Sequence, residues 1–242
     1  MNIYLKMLIL TFFIWVLFLG YLAYPIYQAF SLSKSMIANT IPFEQHPMNP
    51  IKRVLVAGDS AAVGLGATNP KETVSGRIGQ QFSNWDITNL GVSGARLKDL
   101  LHVLQQQPEK HYDLIVLQIG GNDITHFTPY ETIRSELAKV ISLSSKLSPK
   151  TIILTAGNIG TAPIFRWPLS TIMTGRTLNV RSIFIDEVAK NKAVSYVDLF
   201  KDCKDDPFFK YPEKHYAQDK FHLTSDGYGV WYIDVQKKLI NK

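Results

Sequence analysis

Four short clusters of polar residues carry the chemistry this chain could perform. Ser60 stands in Gly58-Asp59-Ser60, directly after an apolar run, and Asn89-Leu90-Gly91-Val92-Ser93-Gly94, Gly120-Gly121-Asn122-Asp123 and Asp219-Lys220-Phe221-His222 follow in that order. A hydroxyl is a weak nucleophile until a base takes its proton, and an imidazole that titrates near neutral pH, such as His222, is suited to the task. Asp219 lies three residues before His222. In a tight turn that spacing lets a carboxylate reach the ring nitrogen facing away from the serine, the logic of a catalytic triad. An oxyanion formed on attack needs donors aimed at it. The candidates are the Ser60 N–H, the N–H of Gly94 or its rival Gly91, and the Asn122 side-chain amide.

Each cluster also has a plainer reading. Gly58-Asp59-Ser60 alone is a common turn, with Asp59 as its stabilising carboxylate, and Asn89 and Asn122 could be Asx-turn residues. His222 could be a surface histidine. His215, Asp219 and His222 could together hold a metal, although no HExxH run or cysteine pair supports that. No metal or other cofactor is therefore expected. The glycine spacing fits neither GxGxxG nor GxxxxGK[ST], which argues against a nucleotide site.

These clusters gain weight from where the elements put them. Apolar runs at Arg53–Ala57, Trp85–Leu90, Leu114–Ile119, Thr151–Ala156 and Val194–Val197 read as five strands. Helical spacing marks Lys71–Asn84, Leu97–Gln106, Tyr130–Leu147 (opened by Thr128-Pro129 as N-cap and first residue), Arg176–Lys190 and Ser225–Leu239. Strand–helix alternation means parallel strands joined by right-handed crossovers, hence a three-layer α/β/α sandwich. Each motif is expected at the end of a strand, where open α/β sheets place their chemistry.

With that order of motifs, the chain resembles the SGNH/GDSL hydrolases, a family of esterases, lipases and acyl-transfer enzymes. Ser60, Gly94, Asn122 and His222 match its four named blocks over roughly Arg53 to Trp231, with Ala61 where the family often has Leu. The resemblance implies a flavodoxin-like order for the mostly parallel five-stranded sheet. It also implies Ser60, Asp219 and His222 as catalytic residues, and Ser60, Gly94 and Asn122 as the oxyanion hole.

The N-terminal segment is of another kind. Met7–Tyr24 runs for 18 residues without a charge, and as a helix it would cover about 27 Å, close to the thickness of a bilayer's hydrocarbon. Tyr4, Tyr21, Tyr24 and Tyr27 lie towards its ends, as interfacial aromatics do. The run is longer than a signal-peptide core, so one uncleaved transmembrane helix is expected over residues 1–30, with a cleaved signal peptide as the alternative. Residues 31–50, holding Pro42, Pro47 and Pro50, read as a linker, and 51–242 as the hydrolase domain. Lys6 precedes the span and only Lys34 follows within ten residues, which places the N-terminus in the cytoplasm and the domain on the extracytoplasmic, periplasmic side.

The formal charge of +6 has no dense basic run, so nucleic acid is not an expected partner. A single cysteine, Cys203, excludes an internal disulfide. The expected activity is hydrolysis of carboxylic esters through an acyl-enzyme, on lipid-like substrates first and O-acylated envelope sugars second. Acyl transfer to a sugar hydroxyl and a non-enzymatic binding module on the same fold are the alternatives. The apolar stretch Asn158–Thr174, with Phe165 and Trp167, is expected to overhang the site as an acyl wall or lid, or to pack as a loop.

Overall fold

A computed structural model describes residues 2–108 and 111–240. The chain opens with α1 (Ile3–Asn39), one continuous helix of 37 residues. An 18-residue window within it is apolar enough to cross a membrane and lies clear of the rest of the protein. The helix runs on past the expected anchor, so residues 31–39 are not a loose tether. Only residues 40–50 are extended, and Gln45 forms an antiparallel bridge to Ile87 that covers part of the edge strand.

Pro25 lies inside α1 without breaking it. Proline has no N–H, so the Tyr21 carbonyl four residues back loses its helical donor. Arg166 supplies the replacement, donating from Nη1 to the Tyr21 oxygen at 2.9 Å while its guanidinium lies 4.2 Å over the Tyr21 ring.

Five strands follow: β1 (Lys52–Gly58), β2 (Trp85–Gly91), β3 (Leu114–Gln118), β4 (Thr151–Leu154) and β5 (Val194–Val197). All four pairings are parallel, in the order β2-β1-β3-β4-β5, which is the flavodoxin-like arrangement. Alternate residues feed opposite faces. Leu55, Ala57, Ile115, Leu117 and Ile153 pack with apolar residues of α4 (Leu97–Gln105), α6 (Tyr130–Leu147) and α7 (Leu169–Val188). Val54, Val56, Leu114, Val116, Ile152 and Leu154 pack with residues of α3 (Val74–Gln81) and α10 (Ser225–Ile240). The result is the expected three-layer sandwich.

Several boundaries differ from the periodicity reading. The helix expected over Lys71–Asn84 is a 3₁₀ turn at Pro70–Glu72 followed by α3, because Thr73 breaks the run and caps α3 through its hydroxyl. Pro129 is the N-cap of α6, not its first residue. The helix α7 starts at Leu169, seven residues before the expected Arg176, and takes in the end of the Asn158–Thr174 stretch. Four short helices complete the chain: α2 (Ser60–Val63), α5 (Gly121–Thr125), α8 (Pro207–Lys210) and α9 (Pro212–His215).

Candidate active site

Ser60 is the first residue of α2, reached by a sharp turn out of β1. Gly58 makes that turn with φ of 143°, and a Cβ there would fall 1.9 Å from the Gln118 carbonyl oxygen, so only glycine fits beside β3. Asp59 caps α2, accepting from the Ala61 N–H at 2.9 Å. The Ser60 N–H belongs to the first turn, where no helical acceptor exists.

His222 comes to Ser60 from the far end of the chain, on a turn between α9 and α10 and not, as expected, at a strand end. Its Nε2 lies 3.0 Å from the Ser60 Oγ, and its Nδ1 lies 2.6 Å from Asp219 Oδ2. A carboxylate can only accept, so Nδ1 carries the hydrogen and Nε2 is free to receive the serine proton. The Asp219 side chain is fully enclosed. Burial pushes its carboxyl up, but hydrogen bonds and charge from His222, with the backbone N–H groups of His222 and Phe221, outweigh this and hold it below the ordinary value. Those two N–H groups donate to Oδ1 at 3.0 and 3.1 Å, so the turn that presents His222 also orients its carboxylate. Lys220, at φ of 60°, lets the chain bend tightly enough to do so.

Asn122 sits on α5 at the end of β3, with its Nδ2 donating to the Ala95 carbonyl at 3.0 Å. An amide carries two such hydrogens, and the second remains available. Asn89 is the Asx-turn residue of the pair. Its Oδ1 accepts from the Gly91 N–H at 3.0 Å, and its Nδ2 donates to the Ala62 carbonyl at 2.8 Å. The bond to Asn89 Oδ1 occupies the Gly91 N–H and removes Gly91 as rival donor. Gly94 lies on the exposed turn just before Ala95 with φ of 85°, and a Cβ there would meet nothing within 4 Å, so conformation alone calls for glycine. The Asn122–Ala95 bond ties this turn to the rim that holds Ser60.

A cavity of about 80 Å³ opens beside Ser60, Asn122 and His222, walled by Ile159, Ala162 and Leu199 among others. Of the expected lid, Ile159, Ala162 and Ile164 are buried, and Phe165 packs edge-on against Phe221, which neighbours His222. Trp167 is 72% exposed and does not line the cavity. Among the described residues no three His, Cys, Asp or Glu side chains group as a metal ion requires, and His215 instead packs beside Phe208.

Three contributors had no role assigned from the sequence, although Asp123 lies within the Gly120–Asp123 cluster. Asp123, fully buried, accepts from the Leu97 N–H at 3.1 Å and so ties the start of α4 to the Asn122 turn. Arg176 donates to the Ile124 and Thr128 carbonyls at 3.0 and 2.9 Å, bracing the same turn from α7. Ser33, on α1, donates to Asp219 Oδ2 at 2.8 Å.

Among solved structures, a member of the lipolytic protein G-D-S-L family from Veillonella parvula is similar with a TM-score of 0.59 at 18% identity, over 76% of this chain and 96% of that one. Axe2, an acetylxylan esterase from Geobacillus stearothermophilus, gives 0.52 at 17% identity, over 81% and 98%. TesA gives 0.55 at 16%, over 78% and 98%. At such identities the likeness carries the fold. No curated protein matches the chain. The family model described as GDSL-like lipase/acylhydrolase matches residues 56–230, most of the sequence and all four motif clusters. The chain belongs to the GDSL-like lipase/acylhydrolase family, a family of ester hydrolases.

Proposed function

We propose that this protein is a membrane-anchored serine esterase acting on short-chain acyl esters outside the cytoplasm, through Ser60, His222 and Asp219. The observation that supports it most is one imidazole bridging a helix-starting serine and a buried carboxylate, at 3.0 and 2.6 Å. In this reading Ser60 Oγ attacks the ester carbonyl carbon while its proton passes to His222 Nε2. The Ser60 and Gly94 N–H groups and the Asn122 amide receive the oxyanion. Collapse expels the alcohol, which takes the proton from His222. A water molecule then repeats the sequence on the acyl-enzyme and releases the acid.

Cavity size favours the short-acyl substrate over the lipid-like one. The room beside Ser60, about 80 Å³, is roughly half the ~150 Å³ that accepts a benzene ring. It suits an acetyl or propionyl group, and Axe2 is an acetylxylan esterase of the same fold.

The test uses the full-length protein in detergent micelles, with p-nitrophenyl esters from acetate to decanoate. Acetate and propionate should give the highest kcat/KM, and Ser60→Ala should abolish turnover and labelling by a fluorophosphonate. Asn122→Ala should lose roughly 10²–10³ in kcat with KM little changed, because its amide serves the transition state. Activity surviving in Ser60→Ala would end the serine reading. A preference for decanoate would overturn the short-acyl one.

A further inference from the structure

The helix α1 approaches the domain with one stripe. Phe18, Leu22, Pro25, Ala29, Ser33 and Met36 are its shielded positions, spaced three and four apart and continued by the C-cap Thr40, and their neighbours are exposed. Ala29 is buried in a small cluster with Ala162 and Ile164, against which Phe165, Tyr216 and Phe221 also pack. One turn further along the stripe, Ser33 reaches Asp219. Ser31 and Ser35, on either side, are exposed. The Arg166 clamp on Tyr21 holds the same face further down.

We propose that Ser33 is a positioning residue for the triad, so that the N-terminal helix forms part of the active site. The inference rests on the serine-esterase reading above. Asp219 Oδ1 is filled by two N–H groups of its own turn, and Oδ2 by His222 Nδ1 and the Ser33 hydroxyl. A carboxylate offers about four lone-pair positions, and here each has a donor. Three donors come from the turn that moves with Asp219. Ser33 comes from 186 residues away on a separate element, and so fixes Oδ2, the oxygen that orients His222, against the body of the molecule. Without that hydroxyl one lone pair of the enclosed Oδ2 loses its donor, and the carboxylate is held only by its own turn and by His222.

The isosteric pair Ser33→Thr and Ser33→Val tests this, since the two differ only in the hydroxyl. Activity is read on p-nitrophenyl acetate with the full-length protein in micelles, alongside Ser60→Ala and Ser33→Ala. The Val and Ala variants should lose about tenfold or more in kcat, with KM within about twofold of wild type. The acidic limb of kcat/KM should move to higher pH, because a carboxylate stripped of one donor binds the imidazolium more strongly. Ser33→Thr should restore most of kcat and the original limb. Thr and Val behaving alike, or a Ser33→Ala enzyme with wild-type kcat and pH profile, would overturn the inference. Ser60→Ala separates the two levels: if it is dead while Ser33→Ala is unaffected, the esterase reading stands and the role of Ser33 falls.

Discussion

Asp59 sits one residue before the proposed nucleophile, and its protonation is tuned by enclosure. Burial raises its carboxyl to about 7, against opposing effects from the Ala61 N–H and the charge of His222. A group whose folded value is raised contributes stability that is complete below its unfolded value and is lost as pH rises through the folded one. For Asp59 that window runs from about pH 4 to about pH 7. Asp219, held low by its donors, acts with the opposite sign: its contribution is lost as pH falls. In urea melts at pH 5, 6 and 7, wild type should therefore lose stability relative to Asp59→Asn by up to about 1.4 kcal/mol per pH unit. Parallel profiles for the two proteins would show that Asp59 is not protonated in the fold. The residues of the site are readable in the sequence because each belongs to a local pattern. Gly58-Asp59-Ser60 ends an apolar strand, and the three-residue spacing of Asp219 and His222 suits one turn. Ser33 is not readable there: nothing in the sequence separates it from Ser31 and Ser35 until α1 is laid against the domain.

The inner strands are legible because they are short apolar runs buried on both faces, as all residues of β3 and β4 are, whereas the edge strands β2 and β5 are partly exposed. Helix starts are less so, since tertiary contacts and caps decide them. Periodicity places the start of α7 after Gly175, yet a Cβ at Gly175 would meet nothing within 4 Å and the helix runs through it. The short helices α8 and α9 each begin with a proline, Pro207 and Pro212, a usable signal that has no apolar period to reinforce it. The Asn158–Thr174 segment divides between core and surface. Phe165→Ala should lower stability by about 1–3 kcal/mol, below the cost at a fully buried site, and reduce turnover of acetate and longer esters alike. Trp167→Ala should change stability by less than about 0.5 kcal/mol and leave the acetate rate intact. Thermal melts and the graded ester series check both. A selective loss of long-chain activity in either variant would restore the acyl-wall role.

At the scale of the molecule, the question is whether α1 remains attached. Its apolar half stands clear of the domain, while its other half is docked through Ala29, Ser33 and the Arg166 clamp. Cleavage near Ser31 would remove Pro25 and Ala29 and sever the clamp. Membrane fractions should therefore hold the intact chain, with an N-terminal sequence starting at or near Met1. A soluble product beginning near Ser31 or Leu32 would identify α1 as a signal sequence instead.

The unbroken course of α1 through Pro25 has a geometric result. From Tyr24, the end of the expected span, to Ser33 is nine residues, about 14 Å of helix rise. In the membrane-anchored reading proposed above, an anchor that is also a strut would set the stand-off between Ser60 and the lipid surface. On that reading the protein would sweep only a thin layer parallel to the bilayer. Within that layer, encounter becomes a two-dimensional search whose rate follows the surface density of acyl groups presented at that height. Bulk concentration matters little to it. Lengthening the strut by two helical turns, seven residues inserted between Tyr24 and Ser33, would lift the layer by about 10 Å and rotate the docking stripe by only ~20°.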